Sequence, residues 1–342
     1  MTDKIKVAVI GAGAWGETHA RIYREHHLAE VTAICDRDKG KAEAVAAKLG
    51  IGAVYDDYHE LLRDGGFDAA AIVTPDFAHA DIAVAAADAK KHLLIEKPLA
   101  TTRDDAFRII DAVEKNNVRA MVDLHNRWNP PFNAAYQAIQ SGELGDIYSG
   151  AIRLNDCKWV ATKMLPWAAQ SSILWFLGSH SLDTLRWLFN DEVRRVYSIS
   201  RKGLLQSMGV DTADCYYTTL EFKNGGVAHM ENGWITPDAN PNVNDFKCNI
   251  LGTKGMISID ASNHNLMQKC TETTVSVPDI LVRNTVFEHA KGFAYESIRS
   301  FIDCLYDGKP FKVSLTDALN TTLILLAVME SADKKMPVDV RF

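Results

Sequence analysis

"KVAVIGAGAWG", Lys6–Gly16, decides the fold. Val7–Ile10 form an apolar run with no polar interruption, and glycines follow at 11, 13 and 16. Such a run is the mark of a strand covered on both faces. G-x-G-x-x-G directly after a strand, and opening a helix, is the arrangement that cradles a dinucleotide. Gly11 permits the tight turn, Gly13 lets the backbone approach a pyrophosphate, and Gly16 lets helix and strand pack closely. The helix N-terminus adds free N–H groups and a partial positive charge. Asp36 follows a second apolar strand, "EVTAIC", 20 residues past Gly16. A carboxylate there accepts hydrogen bonds from ribose hydroxyls and repels a 2′-phosphate, so NAD is the expected cofactor. Arg37 and Arg21 leave room for NADP as the second choice.

Outward from this stretch the pattern repeats. "AAAIVT", "HLLIE" and "RAMVDL" read as further strands, separated by helices such as "HADIAVAAADA" and "DDAFRIIDAVEKN". Apolar strands alternating with helices indicate a doubly wound parallel sheet of the Rossmann type, here over residues 1–124. After Arg127 the grammar changes. "ADCYYTTLEF" and "VAHMENGWI" flank the turn "KNGG", and "FKCNILG" and "MISID" flank "TKG". Residues 125–342 are therefore expected to form an α+β domain with a large, mostly antiparallel open sheet. Its helices include "SSILWFLGSHSLDTLRWLF", "FAYESIRSFIDCLYDG" and "SLTDALNTTLILLAVMESADK".

The bulk numbers exclude several classes. A net charge of −7 argues against a broad grip on nucleic acid or an anionic membrane. No apolar run reads as a bilayer span of roughly 20 residues, and the chain enters a strand at once, without a secretory leader. The six cysteines are scattered with no C-x-x-C pair, which suits reduced thiols in a cytoplasmic protein and no metal centre.

"LLIEKPLA" raises a sharper point, because an apolar strand ends in Glu96, Lys97 and Pro98. The carboxyl ends of parallel strands are where such folds bind ligands, so charges costly in mid-strand become useful there. Together with "GAGAWGETHA", "TPDFAHADIAVAAADAKKHLLIEKPLA", "NRWNP" and the closing "SIRSFIDCLYDGKPFKVSLTDALNTTLILLAVMES", this segment resembles the Gfo/Idh/MocA family of dehydrogenases. Glucose–fructose oxidoreductase and inositol dehydrogenase are members of that family. The resemblance covers nearly the whole chain. It implies two domains with nicotinamide between them, and a homodimer or homotetramer paired through the open face of the C-terminal sheet.

Carried over residue by residue, the resemblance adds Trp15, Thr74, Pro75 and His79 to the cofactor set, with a structural part for His79. Glu96 falls near the nicotinamide ribose, Lys97 reaches substrate and cofactor hydroxyls, and Pro98 follows a cis bond. Asn126 and Arg127 stand at the mouth of the site. His180 matches the family's histidine and Asp183 the aspartate after it. Phe176 departs from the pattern, for the family often has Asp four residues before the histidine. Three arrangements follow: His180 is the base alone, Lys97 is the base with His180 holding a hydroxyl, or Asp156 supplies an acid. His180 working with Lys97 is the reading taken here. "LNDCKWVATKMLPWAAQSS" is the expected substrate wall, with Asn155, Lys163 and Trp167 beside a sugar or cyclitol. The implied activity is oxidation of a secondary hydroxyl by hydride transfer to NAD. Two alternatives on the same fold are a non-catalytic NAD-binding sugar sensor and an NAD-dependent glycoside-cleaving enzyme.

Overall fold

The structure, a computed structural model, describes residues 4–263 and 266–342. Its first sheet grows outward from β1 (Ile5–Ile10), in which Val7, Ala8 and Val9 are fully buried, as a strand covered on two faces requires. Parallel partners follow on both sides: β2 (Ala29–Cys35), β3 (Ala53–Tyr55), β4 (Ala69–Ile72), β5 (His92–Glu96) and β6 (Ala120–Asp123). Their order is β3-β2-β1-β4-β5-β6, so the winding reverses between β1 and β4. That reversal is the switch point at which doubly wound sheets take their ligands. The crossovers are α1 (Ala14–Glu25), α2 (Lys39–Leu49), α3 (Tyr58–Asp64), α4 (His79–Asp88) and α5 (Arg103–Asn116). Asp38, Asp57 and Thr102 cap α2, α3 and α5 by accepting from backbone N–H groups in the first turn.

The second unit opens with α6 (Pro130–Gln140), which carries proline in its first turn. It continues through β7 (Ile147–Cys157), α7 (Ser179–Phe189), β8 (Val193–Arg201), α8 (Leu204–Ser207), β9 (Cys215–Phe222), β10 (Val227–Thr236), β11 (Asn244–Gly252) and β12 (Met256–Asp260). A small ribbon, β13 (Lys269–Cys270) with β14 (Val275–Ser276), follows. A second ribbon pairs β15 (Asn284–Val286) with β16 (His289–Lys291). The chain closes with α9 (Phe293–Tyr306), α10 (Leu315–Lys334) and β17 (Val338–Asp339).

The large sheet runs β12-β11-β7-β10-β9-β8-β17. Within it β10 pairs with β7 in parallel, and the other neighbours are antiparallel. One face is buried under α7 and its neighbours, with Leu154, Leu182, Leu185, Leu220, Met230 and Ile250 in the core. Among the described residues α10 is the helix long and apolar enough to cross a membrane, with a mean hydropathy of 1.2 over its window. Ile324, Leu325 and Val328 of that helix lie in the same core.

The compact units are not contiguous. The first comprises Met1–Leu124 and Thr285–Leu319, the second His125–Asn284 and Asn320–Phe342. The expected division at 124/125 treats everything beyond as one piece, whereas α9 packs with β6 and α1 of the first unit. Ser297 on α9 explains the return, because its hydroxyl donates to the buried Asp123 at the end of β6, at 2.5 Å.

Candidate functional site

In the first unit the glycine turn has the close contacts its spacing demands. Gly11 sits at φ +109°, and a Cβ there would stand 2.3 Å from the Val73 carbonyl oxygen. A Cβ on Gly16 would stand 1.8 Å from the Gly11 carbonyl oxygen. Gly13 differs: a Cβ there would meet nothing within 4 Å, and no side chain caps the helix it opens. Open space at an uncapped helix N-terminus fits a pyrophosphate. Asp36 ties this turn to the end of β2, its carboxylate accepting from Ala12 N at 2.7 Å and from Asp38 N at 2.9 Å. Arg37 is exposed beside it. Arg21 is engaged elsewhere, donating to Glu25, to Thr285 Oγ1 and to the Glu288 carbonyl. The residues present therefore suit NAD.

The E-K-P segment stands at the carboxyl edge of β5, with the Lys97–Pro98 bond cis and Lys97 half-buried. Glu96 is 6% exposed. Its Oε1 accepts from Trp15 Nε1 at 2.5 Å and lies 2.8 Å from His19 Nε2. The sequence reading aims both Trp15 and Glu96 at the cofactor; in the structure they hold each other. Glu96 is also the register partner of Asp123. Two buried carboxylates side by side need donors to offset their desolvation, and His19, Trp15 and Ser297 provide them. Burial, then the fields of Asp123 and Glu96, hold the Tyr23 hydroxyl well above its usual 10.0. Tyr23 therefore stays protonated, 3.4 Å from His19 Nδ1.

Thr74 and Pro75 follow β4 and are half-buried. His79 is a correction to the expected cofactor set. It is fully buried, with Nδ1 2.8 Å from the Pro98 carbonyl and Nε2 3.0 Å from the Thr74 carbonyl. Both ring nitrogens face backbone, so His79 joins the T-P and E-K-P loops instead of touching a ligand.

In the second unit one stripe of α7 carries the polar residues. His180, Asp183, Thr184 and Trp187 recur at helical spacing and meet the turn His125–Trp128. Arg127 forms a bidentate pair with Asp183, at 3.0 Å and 2.6 Å, with side chains 9% and 1% exposed. Its guanidinium also lies 5.8 Å from the Trp187 ring centre. Asn126 donates to Thr184, which donates to the His180 carbonyl. The His125 and His180 rings lie 4.4 Å apart, centre to centre. Arg127 and Asp183, both expected at substrate, thus neutralise one another.

The helix expected to run unbroken through His180 begins with a π turn, Leu174–Gly178. A second π turn, Val160–Met164, forms part of the expected substrate wall. Such wide turns are rare and recur at functional sites. The first also alters the spacing between Phe176 and His180, so Phe176 joins an aromatic row with Trp167 and Trp234, at 6.4 Å and 5.6 Å. Lys163 is exposed and Trp167 half-buried. Asn155 is a second correction. Leu154 faces the core, and strand alternation sends Asn155 to the opposite face, where it donates to Glu231 at 2.7 Å. Sequence reasoning leaves two contributors unmarked, His19 and His125. His19 lies inside a marked segment, one turn past Trp15, and His125 stands between two marked segments, next to Asn126.

Residues 5–124 match a family described as oxidoreductases with an NAD-binding Rossmann fold, and residues 136–340 match that family's C-terminal alpha/beta domain. The oxidoreductase YrbE of Bacillus subtilis is 27% identical over 99% of this chain and 98% of its own length. The scyllo-inositol 2-dehydrogenase (NAD(+)) of the same organism is 28% identical over 99% and 97%. A crystal structure of scyllo-inositol dehydrogenase from Lactobacillus casei, with bound NAD(H) and scyllo-inositol, superposes with a TM-score of 0.84. That protein is 19% identical, over 98% of this chain and 99% of its own.

Proposed function

This chain belongs to the Gfo/Idh/MocA oxidoreductase family, and from that premise we propose that it is a dehydrogenase oxidising a secondary hydroxyl of an inositol-like cyclitol or a sugar. The relatives named as inositol dehydrogenases support that substrate class. Bound NAD supplies the hydride acceptor. The chain's own part is to hold the pyrophosphate at Gly11–Gly16, to hold the ribose at Asp36, and to take the hydroxyl proton. Lys97 and His180 handle that proton: the O–H bond breaks, an N–H bond forms, and the carbon becomes a carbonyl. The observation that carries the reading is the polar stripe on α7. Because Arg127 and Asp183 neutralise each other there, acid–base chemistry falls to the imidazole. Trp167 and Phe176, half-buried and edge to face with one another, suit the C–H face of a ring. A pair of copies joined through the exposed face of the large sheet completes the proposal.

The test is a spectrophotometric panel of cyclitols, sugars and sugar acids with NAD and NADP. Stoichiometric NADH is expected; a sensor or a glycoside-cleaving enzyme would accumulate none. Lys97→Ala and His180→Ala should still bind NAD and lose turnover by ~100-fold or more, as when a positioned proton-transfer group is removed. Unchanged rates in both variants would refute the assignment.

A further inference from the structure

We propose that His19 is a positioning residue for Lys97: it clasps Glu96 to the dinucleotide helix α1, so that the helix holding the pyrophosphate also sets where the ammonium stands. The inference rests on the reading of Lys97 as a proton-handling group. Glu96 is the last residue of β5, and Lys97 is next in the chain. Toward β4 the backbone register ends at the pair Ile72–Ile95, one residue short of Glu96. From there α1 takes over through side chains. Trp15 Nε1 and His19 Nε2 both meet Glu96 Oε1, at 2.5 Å and 2.8 Å. Four residues apart, Trp15 and His19 share one face of the helix that Gly13 opens.

His19 is itself held in place. It is fully buried, and the fully buried Tyr23, one turn further along α1, stands 3.4 Å from its Nδ1 with the two rings edge to face. Close packing of this kind leaves a side chain few other rotamers. Toward β6, Glu96 is in register with Asp123, which accepts from Ser297. On the far side of Lys97, the Pro98 carbonyl lies 2.8 Å from His79 Nδ1, and the Thr74 carbonyl lies 3.0 Å from His79 Nε2. Lys97 therefore stands between two pinned neighbours, Glu96 tied to α1 and Pro98 to the loop after β4.

Pinning matters because a lysine carries its charge on a flexible four-carbon stem. Its ammonium is placed no better than the backbone that bears it. A reacting group displaced by about 1 Å loses on the order of 100-fold in rate. His19 also offsets the desolvation of Glu96, as any buried partner of a carboxylate does. The positioning role goes further, since loss of the clasp is felt at residue 97 as well as in stability.

The test uses the full chain with NAD and compares wild type with two variants. His19→Leu removes the clasp, and His19→Gln keeps an amide nitrogen for the same carboxylate oxygen. Kinetics on the best substrate of the panel give kcat and KM, and fluorescence titration gives NAD affinity. The Lys97 side chain is read by NMR of protein with isotopically methylated lysines, its signal assigned by its loss in Lys97→Arg. In His19→Leu, kcat should fall ~10- to 100-fold with KM and NAD affinity little changed. The Lys97 signal should broaden or move toward those of exposed lysines. His19→Gln should recover most of both. An unchanged Lys97 signal in His19→Leu, whatever the rate, means that His19 serves only folding, and the inference fails. Should His19→Leu not fold, His19→Leu combined with Glu96→Gln, which removes the buried charge along with its partner, is read in the same way. Lys97→Ala separates the two readings: full turnover there would end the role of Lys97 in catalysis, and the Lys97 signal alone then decides whether His19 holds it.

Discussion

At the residue scale, Asp36 shows how one side chain does two things. Its carboxylate accepts from two backbone N–H groups and so fixes the glycine turn, and it stands where ribose hydroxyls would meet it. Replacing it with alanine removes both functions. The structural loss falls on NAD and NADP alike, whereas the loss of hydrogen bonds to a 2′-hydroxyl falls on NAD, and the loss of charge repulsion favours NADP. A hydrogen bond to a charged group contributes about 1.5–3 kcal/mol, so NAD affinity should fall roughly 10- to 100-fold. The loss for NADP should be smaller. Fluorescence titration of both dinucleotides checks this, and equal losses would remove Asp36 as the discriminating residue. Arg21 cannot rescue the phosphate without leaving Glu25 and the β15–β16 ribbon.

At the element scale, His79 joins two loops that follow different strands of the first sheet. Burial, the largest influence, lowers its pKa from the usual 6.5, against the pull of the Pro98 and Thr74 carbonyls. His92 and His26 are lowered by burial as well. The unfolded chain therefore binds more protons than the folded one below about 6.5, and stability is lost as pH falls from there toward the folded pKa values. Thermal melts should show a lower Tm at pH 5.5 than at pH 7.5, with a smaller drop in His79→Gln; a flat wild-type profile would contradict this. The elements themselves are legible in the sequence where burial is two-sided: β1, β2, β4, β5 and β6 are apolar runs because helices cover both faces. The short edge strand Ala53–Tyr55 is half-buried and leaves no such run. Val193–Arg201 alternates buried valine and serine with exposed arginine and tyrosine, and its polar content hides the strand. The π turn before His180 is invisible to a periodic pattern, because it changes hydrogen-bond spacing and not composition. The sequence neighbours of Asn155 point it at substrate, and the pleat of β7 turns it away.

At the scale of the whole molecule, the large sheet has one face buried by its own helices and another that presents apolar side chains. Tyr197, Ile199, Tyr217, Val227 and Leu251 remain 39–52% exposed along its strands. An apolar sheet face of this kind is the surface proposed above for the pairing of copies. Tyr217 is the register partner of Ile199, so the two form one patch. In a two-fold pair each substitution is made twice, because the same patch serves both copies. At about 1 kcal/mol per half-buried apolar side chain, Ile199→Glu with Tyr217→Glu removes ~4 kcal/mol across such an interface. That corresponds to a dissociation constant raised on the order of 1,000-fold. Light scattering after size exclusion should find wild type as a dimer or larger and the double variant as a monomer at micromolar concentration, with unchanged far-UV circular dichroism. Wild type eluting as a monomer would rule the pairing out, and a double variant that stays associated would place the contact elsewhere on the chain.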